Sequence, residues 1–153
     1  MDILADTNIL VRRINRSDSQ HKETRIALRL LTEMGHRVCI VPQNIIETWN
    51  VATRPIEKNG LGLLPHQVLR IVASIEDTFT MLPEESGIYD SWKRLVGQYA
   101  VSGLKCYDAR LVACASVHRI ETILTFNGDD FRRYEGIKVL HPKEVSHAQD
   151  PPA

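Results

Sequence analysis

Asp2-Ile3-Leu4-Ala5-Asp6-Thr7-Asn8-Ile9-Leu10-Val11 opens the chain, and its order of residue types decides the fold. The short apolar run at 2–5 reads as a strand. It ends in Asp6-Thr7-Asn8, a cluster that favours turns and helix caps, and Ile9, Leu10, Val11 and Ile14 follow at partly helical spacing. The same alternation repeats outward from there. Ser19 to Met34 has clear helical periodicity and stops at Gly35. Val38–Val41 is short, apolar and partly β-branched, as a buried strand is. Pro42 then opens a helix whose apolar stripe is Ile45, Ile46, Trp49 and Val51, ending before Pro55. A glycine-bearing loop (55–64) and a helix from Pro65 to about Ile75 precede a strand at Thr78–Leu82. Pro83-Glu84-Glu85 starts the next helix, which runs to Tyr99 and breaks at Ser102-Gly103. Asp108 to His118 is helical, Thr122–Phe126 a strand, Asn127–Asp130 a turn and Ile137–Leu140 the last strand. Strands alternating with helices predict a three-layer α/β/α fold on a central, mainly parallel sheet. One domain is expected over 1–145, with a frayed tail at 146–153.

Composition narrows the function classes. The 153 residues are the size of one domain, and 19 basic residues balance 19 acidic ones. Binding of nucleic acid through bulk positive charge is thereby excluded, leaving only local patches. The three cysteines (Cys39, Cys106, Cys114) form no C-x-x-C pair, and no histidine stands at metal-ligand spacing, so neither a disulfide framework nor a zinc site is expected. The N-terminus does not read as a signal peptide, and no apolar run approaches the roughly 18 residues of a membrane span. A cytoplasmic protein with no membrane partner is the expectation.

In open parallel sheets ligands bind at the carboxyl ends of the strands, near the point where strand order reverses. Four acids are predicted to fall at that end. Asp6 follows the first strand, Glu47 lies in the helix after the second, Asp108 opens a helix on the matching edge, and Asp130 stands beside Asp129 after the strand at 122–126. Carboxylates brought together repel one another unless a cation compensates. A donor set of oxygens alone selects a hard divalent ion, Mg²⁺ or Mn²⁺. Such an ion suits hydrolysis of a phosphodiester. Each acid alone has an ordinary alternative. Asp6 with Asn8 could be an Asx-turn and cap, Asp108 an N-cap stapled by Tyr107, Glu47 a solvent-facing residue, and Asp129-Asp130 turn aspartates. The coincidence of four at strand ends favours the shared site.

At these residues the sequence resembles the PIN-domain ribonucleases, especially the VapC-type toxins of toxin–antitoxin pairs. The resemblance covers about residues 1–145 through four motifs in order. These are the strand into Asp6-Thr7-Asn8; Pro42-Gln43-Asn44-Ile45-Ile46-Glu47 with Thr53-Arg54-Pro55; Tyr107-Asp108-Ala109-Arg110-Leu111-Val112-Ala113; and Leu124-Thr125-Phe126-Asn127-Gly128-Asp129-Asp130-Phe131. It implies a five-stranded parallel sheet between helices and a Mg²⁺- or Mn²⁺-dependent endoribonuclease. Carried over by position, Asp6 and Asp108 are direct metal ligands, and Glu47 binds a second ion or orients the attacking water. Thr7 and Asn8 position water and the Asp6 carboxylate. The fourth acid departs from the usual T-x-D-x-D-F: Asn127 takes the place of the first acid and Asp130 that of the second. Asp130 is the favoured fourth ligand, with Asn127 in support. The resemblance further implies a cognate antitoxin and a homodimer.

An RNA substrate requires local positive charge. Seven Lys/Arg against three acids lie between Arg12 and Arg37, whereas Glu76 to Asp90 holds five acids and no base. Arg12, Arg13, Lys105 and Arg132 are the proposed phosphate contacts, set against the alternative of a solvated helix face. Two rival readings stand beside it: a PIN-fold module that binds RNA or protein without cutting, and an aspartyl-phosphate phosphatase. The phosphatase needs an acid two residues after the nucleophile, where Asn8 stands.

Overall fold

Ile3, Leu4 and Ala5 have no exposed surface, and they point alternately into two separate cores. A strand whose every residue is buried needs cover on both faces, and this arrangement generates the layers. A computed structural model describes residues 1–147, and the remainder of the expected tail, 148–153, lies outside the described residues. Five strands, β1 (Asp2–Ala5), β2 (Arg37–Ile40), β3 (Thr80–Met81), β4 (Thr122–Leu124) and β5 (Lys138–Leu140), form one sheet in the order β3-β2-β1-β4-β5. Every pairing is parallel. The helices are α1 (Thr7–Ile14), α2 (His21–Glu33), α3 (Pro42–Thr53), α4 (Pro65–Thr78), α5 (Gly87–Gln98), α6 (Lys105–Val117) and α7 (Pro142–His147).

The register sorts the sheet's side chains by face. Leu4 pairs with Cys39 on one side and Ile123 on the other, and all three join Ile88, Leu95, Leu111 and Val112 of α5 and α6. Ile3, Ala5, Val38, Ile40 and Leu124 face the opposite core, with Ile9, Leu10, Leu30, Leu31 and Ile75 of α1, α2 and α4. The expected three-layer parallel architecture is present, with five strands. Its topology places the functional end. From β1 the chain builds outward through β2 and β3, then returns to β1's other side for β4 and β5. Strand order therefore reverses between β1 and β4, and Asp6 and Thr125 stand side by side at the carboxyl ends of these two strands.

Several local expectations need correction. The strand at 78–82 shrinks to Thr80–Met81, because α4 continues through Thr78. The helix expected from Pro83 begins at Gly87. Asp108 does not cap its helix: α6 starts three residues earlier, at Lys105, so Asp108 stands in its first turn. In α3 the expected apolar stripe is not the buried face. Gln43, Asn44, Thr48 and Ala52 point inward, while Ile46 is 68% exposed. The reason is that α3 packs on the polar end of β1 and on α1, where hydrogen-bonding groups are needed. The tail does not begin at 146, since α7 includes Ser146, whose hydroxyl donates to the Pro142 carbonyl (3.3 Å). Among the described residues no helix is long and apolar enough to cross a membrane.

Candidate active site

Asp6 prolongs the sheet by one backbone bond, its amide donating to the Leu124 carbonyl (2.9 Å). It stands at the N-cap position of α1, yet its side chain makes no capping hydrogen bond. The carboxylate turns instead towards β4. Oδ2 accepts from the Thr125 hydroxyl (2.7 Å) and from Asn8 Nδ2 (2.7 Å). Thr125 Oγ1 in turn accepts from Asn8 Nδ2 and from the Asn127 amide, each at 3.0 Å. Its single proton is thus committed to Asp6. Asn8 Oδ1 also accepts from the Phe126 amide (3.3 Å). These contacts tie the ends of β1 and β4 across the switch point and fix one carboxylate oxygen.

A second set of contacts fixes the α3 side. Asn44 is fully buried: its Oδ1 accepts from the Val41 amide (2.8 Å), and its Nδ2 donates to the Ala5 carbonyl (3.1 Å) and Thr7 Oγ1 (3.2 Å). Gln43 Nε2 donates to Glu47 Oε1 and to the Tyr107 carbonyl (2.9 Å), joining α3 to the start of α6. Gln43 Oε1 accepts from Arg110 (3.2 Å), whose other nitrogen is held by both oxygens of Glu84 (2.9 and 3.0 Å). On α6, Lys105 and Asp108 are ion-paired at 3.8 Å, and the Lys105 ammonium also contacts Asp130 in the turn after β4. That turn lies against β5: a Cβ on Gly128 would stand 2.8 Å from Val139 Cγ1, so glycine allows the close approach.

The electrostatics match a shared crevice. The Asp6 carboxyl is pushed up to about 6, chiefly by burial, with Glu47 and Asp130 adding to the effect and the Thr125 hydrogen bond opposing it. Asp108 is likewise pushed up to about 6, first by burial and then by Asp6 and Asp130, with Lys105 opposing. Asp6, Glu47, Asp108 and Asp130 therefore feel one another although they come from four separate segments. Their donor chemistry, oxygen only, suits a hard divalent cation. Among the described residues, however, no three Asp, Glu, His or Cys side chains converge closely enough to hold an ion as they stand. Thr125, Gln43 and Lys105 each hold an oxygen of one of these carboxylates.

The other expected site residues divide. Thr7 and Asn8 lie at the site, though Thr7 offers its hydroxyl to Asn44 and only Asn8 touches the Asp6 carboxylate. Asn127 is exposed and reaches the cluster through its backbone amide, whereas Asp130 is half-buried beside Lys105. Arg12 stacks over the Phe126 ring (4.7 Å) and donates to the Asn8 carbonyl (3.3 Å), close to the crevice. Arg13 lies away from it, against Thr78 (3.0 Å) and the Phe79 ring. Arg132 is paired with Asp129 in the exposed turn. An open groove of about 570 Å³ runs past Asp130, lined by Phe126, Asn127, Arg132, His141 and Glu144 among others, while Asp6, Glu47 and Asp108 are not part of its lining. Thr125, Gln43, Asn44 and Arg110 escaped the sequence reading as site residues. Their signal was present as polar residues inside otherwise apolar segments, but only the fold pairs them with the acids.

Comparison with known proteins gives three findings. A family model of the PIN domain matches residues 3–137. No curated protein matches the sequence. Among solved structures, the fold is shared with DNA-bound VapBC from Salmonella typhimurium, at TM-score 0.71 and 19% identity over 93% of this chain and 98% of that one. It is shared with VapBC2 from Rickettsia felis bound to a promoter DNA fragment, at TM-score 0.69 and 16% identity over 92% and 98%. It is shared too with VapC20 from Mycobacterium tuberculosis, a sarcin–ricin-loop-cleaving toxin, at TM-score 0.63 and 18% identity over 86% and 94%. At such identities the structural likeness is one of fold, and the family model, which spans all four acids, decides membership: the chain belongs to the PIN-domain family.

Proposed function

We propose that this chain is a divalent-metal-dependent endoribonuclease and the toxin of a toxin–antitoxin pair. The observation that carries the reading is that Asp6, at the sheet's switch point, and Asp108 are each pushed up to about 6, chiefly by burial and in part by the charges of Glu47 and Asp130. A buried acid and a half-buried one raised in this way suit a site that calls for positive charge. Asp6 and Asp108 would hold Mg²⁺ or Mn²⁺, with Asp130 and Glu47 completing the set. The ion supplies Lewis acidity, lowering the pKa of a water and neutralising charge on the scissile phosphodiester. The chain's own residues do the rest. Thr125 and Asn8 hold one oxygen of Asp6, leaving the other for the ion. Gln43, itself anchored by Arg110, holds Glu47 where it can orient or accept a proton from water. Arg12 over Phe126, Lys105 beside Asp130 and Arg132 in the groove lining would supply the positive charge for phosphates.

RNA as substrate is supported by the shared fold with VapC20, which cleaves the sarcin–ricin loop. An antitoxin partner is supported by the fold shared with toxins in VapBC complexes. Exposed apolar residues on α3 and the start of α6, Ile46, Leu104 and Tyr107, suit a protein contact, either with that antitoxin or with a second copy. Localisation in the cytoplasm follows from this role. One observation favours the non-catalytic alternative: among the described residues no three carboxylates converge as they stand. The deciding experiment incubates wild type and Asp6→Asn with total cellular RNA in Mg²⁺, Mn²⁺ or EDTA and sequences the new ends. Discrete ends that need metal and vanish in the variant are expected. Absence of cleavage by folded, partner-free protein, together with no Mn²⁺ binding, would transfer the assignment to a binding module.

A further inference from the structure

We infer that Lys105 is a built-in counter-cation that competes with the divalent ion for Asp108 and Asp130. The inference rests on the metal-dependent reading above and adds to it a residue that sets how readily the site loads. Among the described residues, Lys105 is the one Lys or Arg ion-paired with any of the four acids, and it contacts two of them. Its partners come from different segments, the first turn of α6 and the turn after β4, so the ammonium joins two of the elements whose carboxylates would hold an ion. A carboxylate oxygen given to this ammonium is withheld from a metal, which agrees with the lack of three converging donors. The lysine is also equipped to leave. It sits on the first residue of α6, and its side chain is 44% exposed. An ammonium on a flexible stem makes point contacts rather than the two-pronged grip of a guanidinium. Arg37 shows the other choice, gripping both oxygens of Asp2.

Two consequences follow by linkage. Without divalent ion, Lys105 relieves the repulsion among the acids. When an ion loads, it must displace that ammonium, so its apparent affinity is lower than the carboxylates alone would give. The test titrates the full chain with Mn²⁺, following the free-ion EPR signal, for wild type, Lys105→Gln, Lys105→Met and Lys105→Arg. Melting temperatures are read in EDTA and at saturating Mn²⁺. The two neutral variants are expected to bind Mn²⁺ about tenfold more tightly than wild type. They should also melt below it in EDTA, with the gap closing at saturating Mn²⁺. Lys105→Arg, which keeps the charge, should show no such gain. Equal or weaker affinity in both neutral variants overturns the inference, as does a melting deficit of the same size with and without metal, which marks a purely structural role. Should wild type bind no Mn²⁺ either, the metal reading itself fails and takes the inference with it. A wild type that binds while Asp108→Asn does not keeps that reading intact and leaves Lys105 to be judged by its own variants.

Discussion

Two aspartates bracket β1, four residues apart, and the fold treats them in opposite ways. Asp2 stands at the strand's start, partly exposed, with Arg37 directly across the register on β2. Arg37 Nε donates to Asp2 Oδ1 (2.9 Å) and its Nη2 to Oδ2, and this hydrogen bonding holds the Asp2 carboxyl below its usual value. Asp6 stands at the strand's end, buried, beside three other acids and without a cation of its own, and it is pushed up to about 6. The first arrangement is what stability alone would select. The second works against stability and stands at the switch point, where parallel sheets commonly present a ligand site. The contrast separates acids that hold the fold from acids that the fold holds for something else.

The sharpest way to break this comparison is Asp6→Asn. Cleavage of RNA in Mn²⁺ should fall by about 10³-fold or more, since the proposed metal ligand and its charge are lost together. The same variant should be more stable in EDTA at neutral pH. A rise from 3.8 to about 6 corresponds to about 3 kcal/mol of native stability given up once the carboxylate ionises. Removing that charge should raise the melting temperature by several degrees, as read by circular dichroism. An Asp6→Asn protein that melts lower than wild type would mean that Asp6 is a structural acid after all.

The pH dependence should carry opposite signs at the two ends. For Asp6 and Asp108 the folded value lies above the unfolded one, so their contribution is fully present below about pH 4 and is lost as pH rises through about 6. For Asp2 the folded value lies below 3.8, so its contribution is present above that pH and is lost as pH falls. Denaturant melts in EDTA should show wild-type stability declining between pH 4 and 6, with the decline reduced in Asp6→Asn and unchanged in Asp2→Asn. Mn²⁺ affinity should rise over the same window, because the ion needs both carboxylates ionised.

Much of this contrast was legible before any coordinates. The apolar run into Asp6, the four-motif order and the strand–helix alternation carry the parallel sheet and place the acids at one end. What periodicity could not supply was the partner of each polar residue. In α3 the stripe Ile45, Ile46, Trp49 and Val51 suggested a buried face, yet Asn44 and Gln43 point inward because β1's last carbonyl and Glu47 need donors. A polar residue is buried when a specific group awaits it, and that group lies 39 residues away in the chain for Asn44 and Ala5. Asp108 was misplaced by three positions for a different reason: Lys105 and Cys106 carry no start signal, and Tyr107-Asp108 mimics a stapled cap. The shortening of β3 reflects competition over Thr78, whose hydroxyl bonds back to the Ser74 carbonyl (2.7 Å) as the end of α4.

Residues that act on the acids through hydrogen bonds should give intermediate effects and sharpen the comparison. Thr125→Val removes the one hydroxyl proton given to Asp6 while keeping the side chain's shape. The Asp6 carboxyl should then rise further, Mn²⁺ affinity should fall by about 10–100-fold, and raising the pH should recover part of the loss. Thr125→Ser should restore binding. Gln43→Leu frees Glu47 and leaves Arg110 without its contact to Gln43. If Glu47 acts by orienting water, turnover at saturating RNA should fall about tenfold or more, with Mn²⁺ affinity nearly unchanged.

The smallest effects belong to the start of β1. Asp2→Asn should leave Mn²⁺ affinity and RNA cleavage at wild-type levels, because Arg37 and Asp2 sit at the strand end opposite to the crevice. Its melting temperature should drop only slightly at neutral pH, since exposed ion pairs contribute little even when both nitrogens are used. The drop should shrink as pH falls below 3.8 and the wild-type carboxyl takes up its proton, and it should shrink in high salt. Asp6→Asn should show none of this salt dependence, because the charge it removes is buried and only weakly screened. Measuring both variants at low and high salt therefore tests whether position at one strand's two ends, rather than residue type, decides what an aspartate does here.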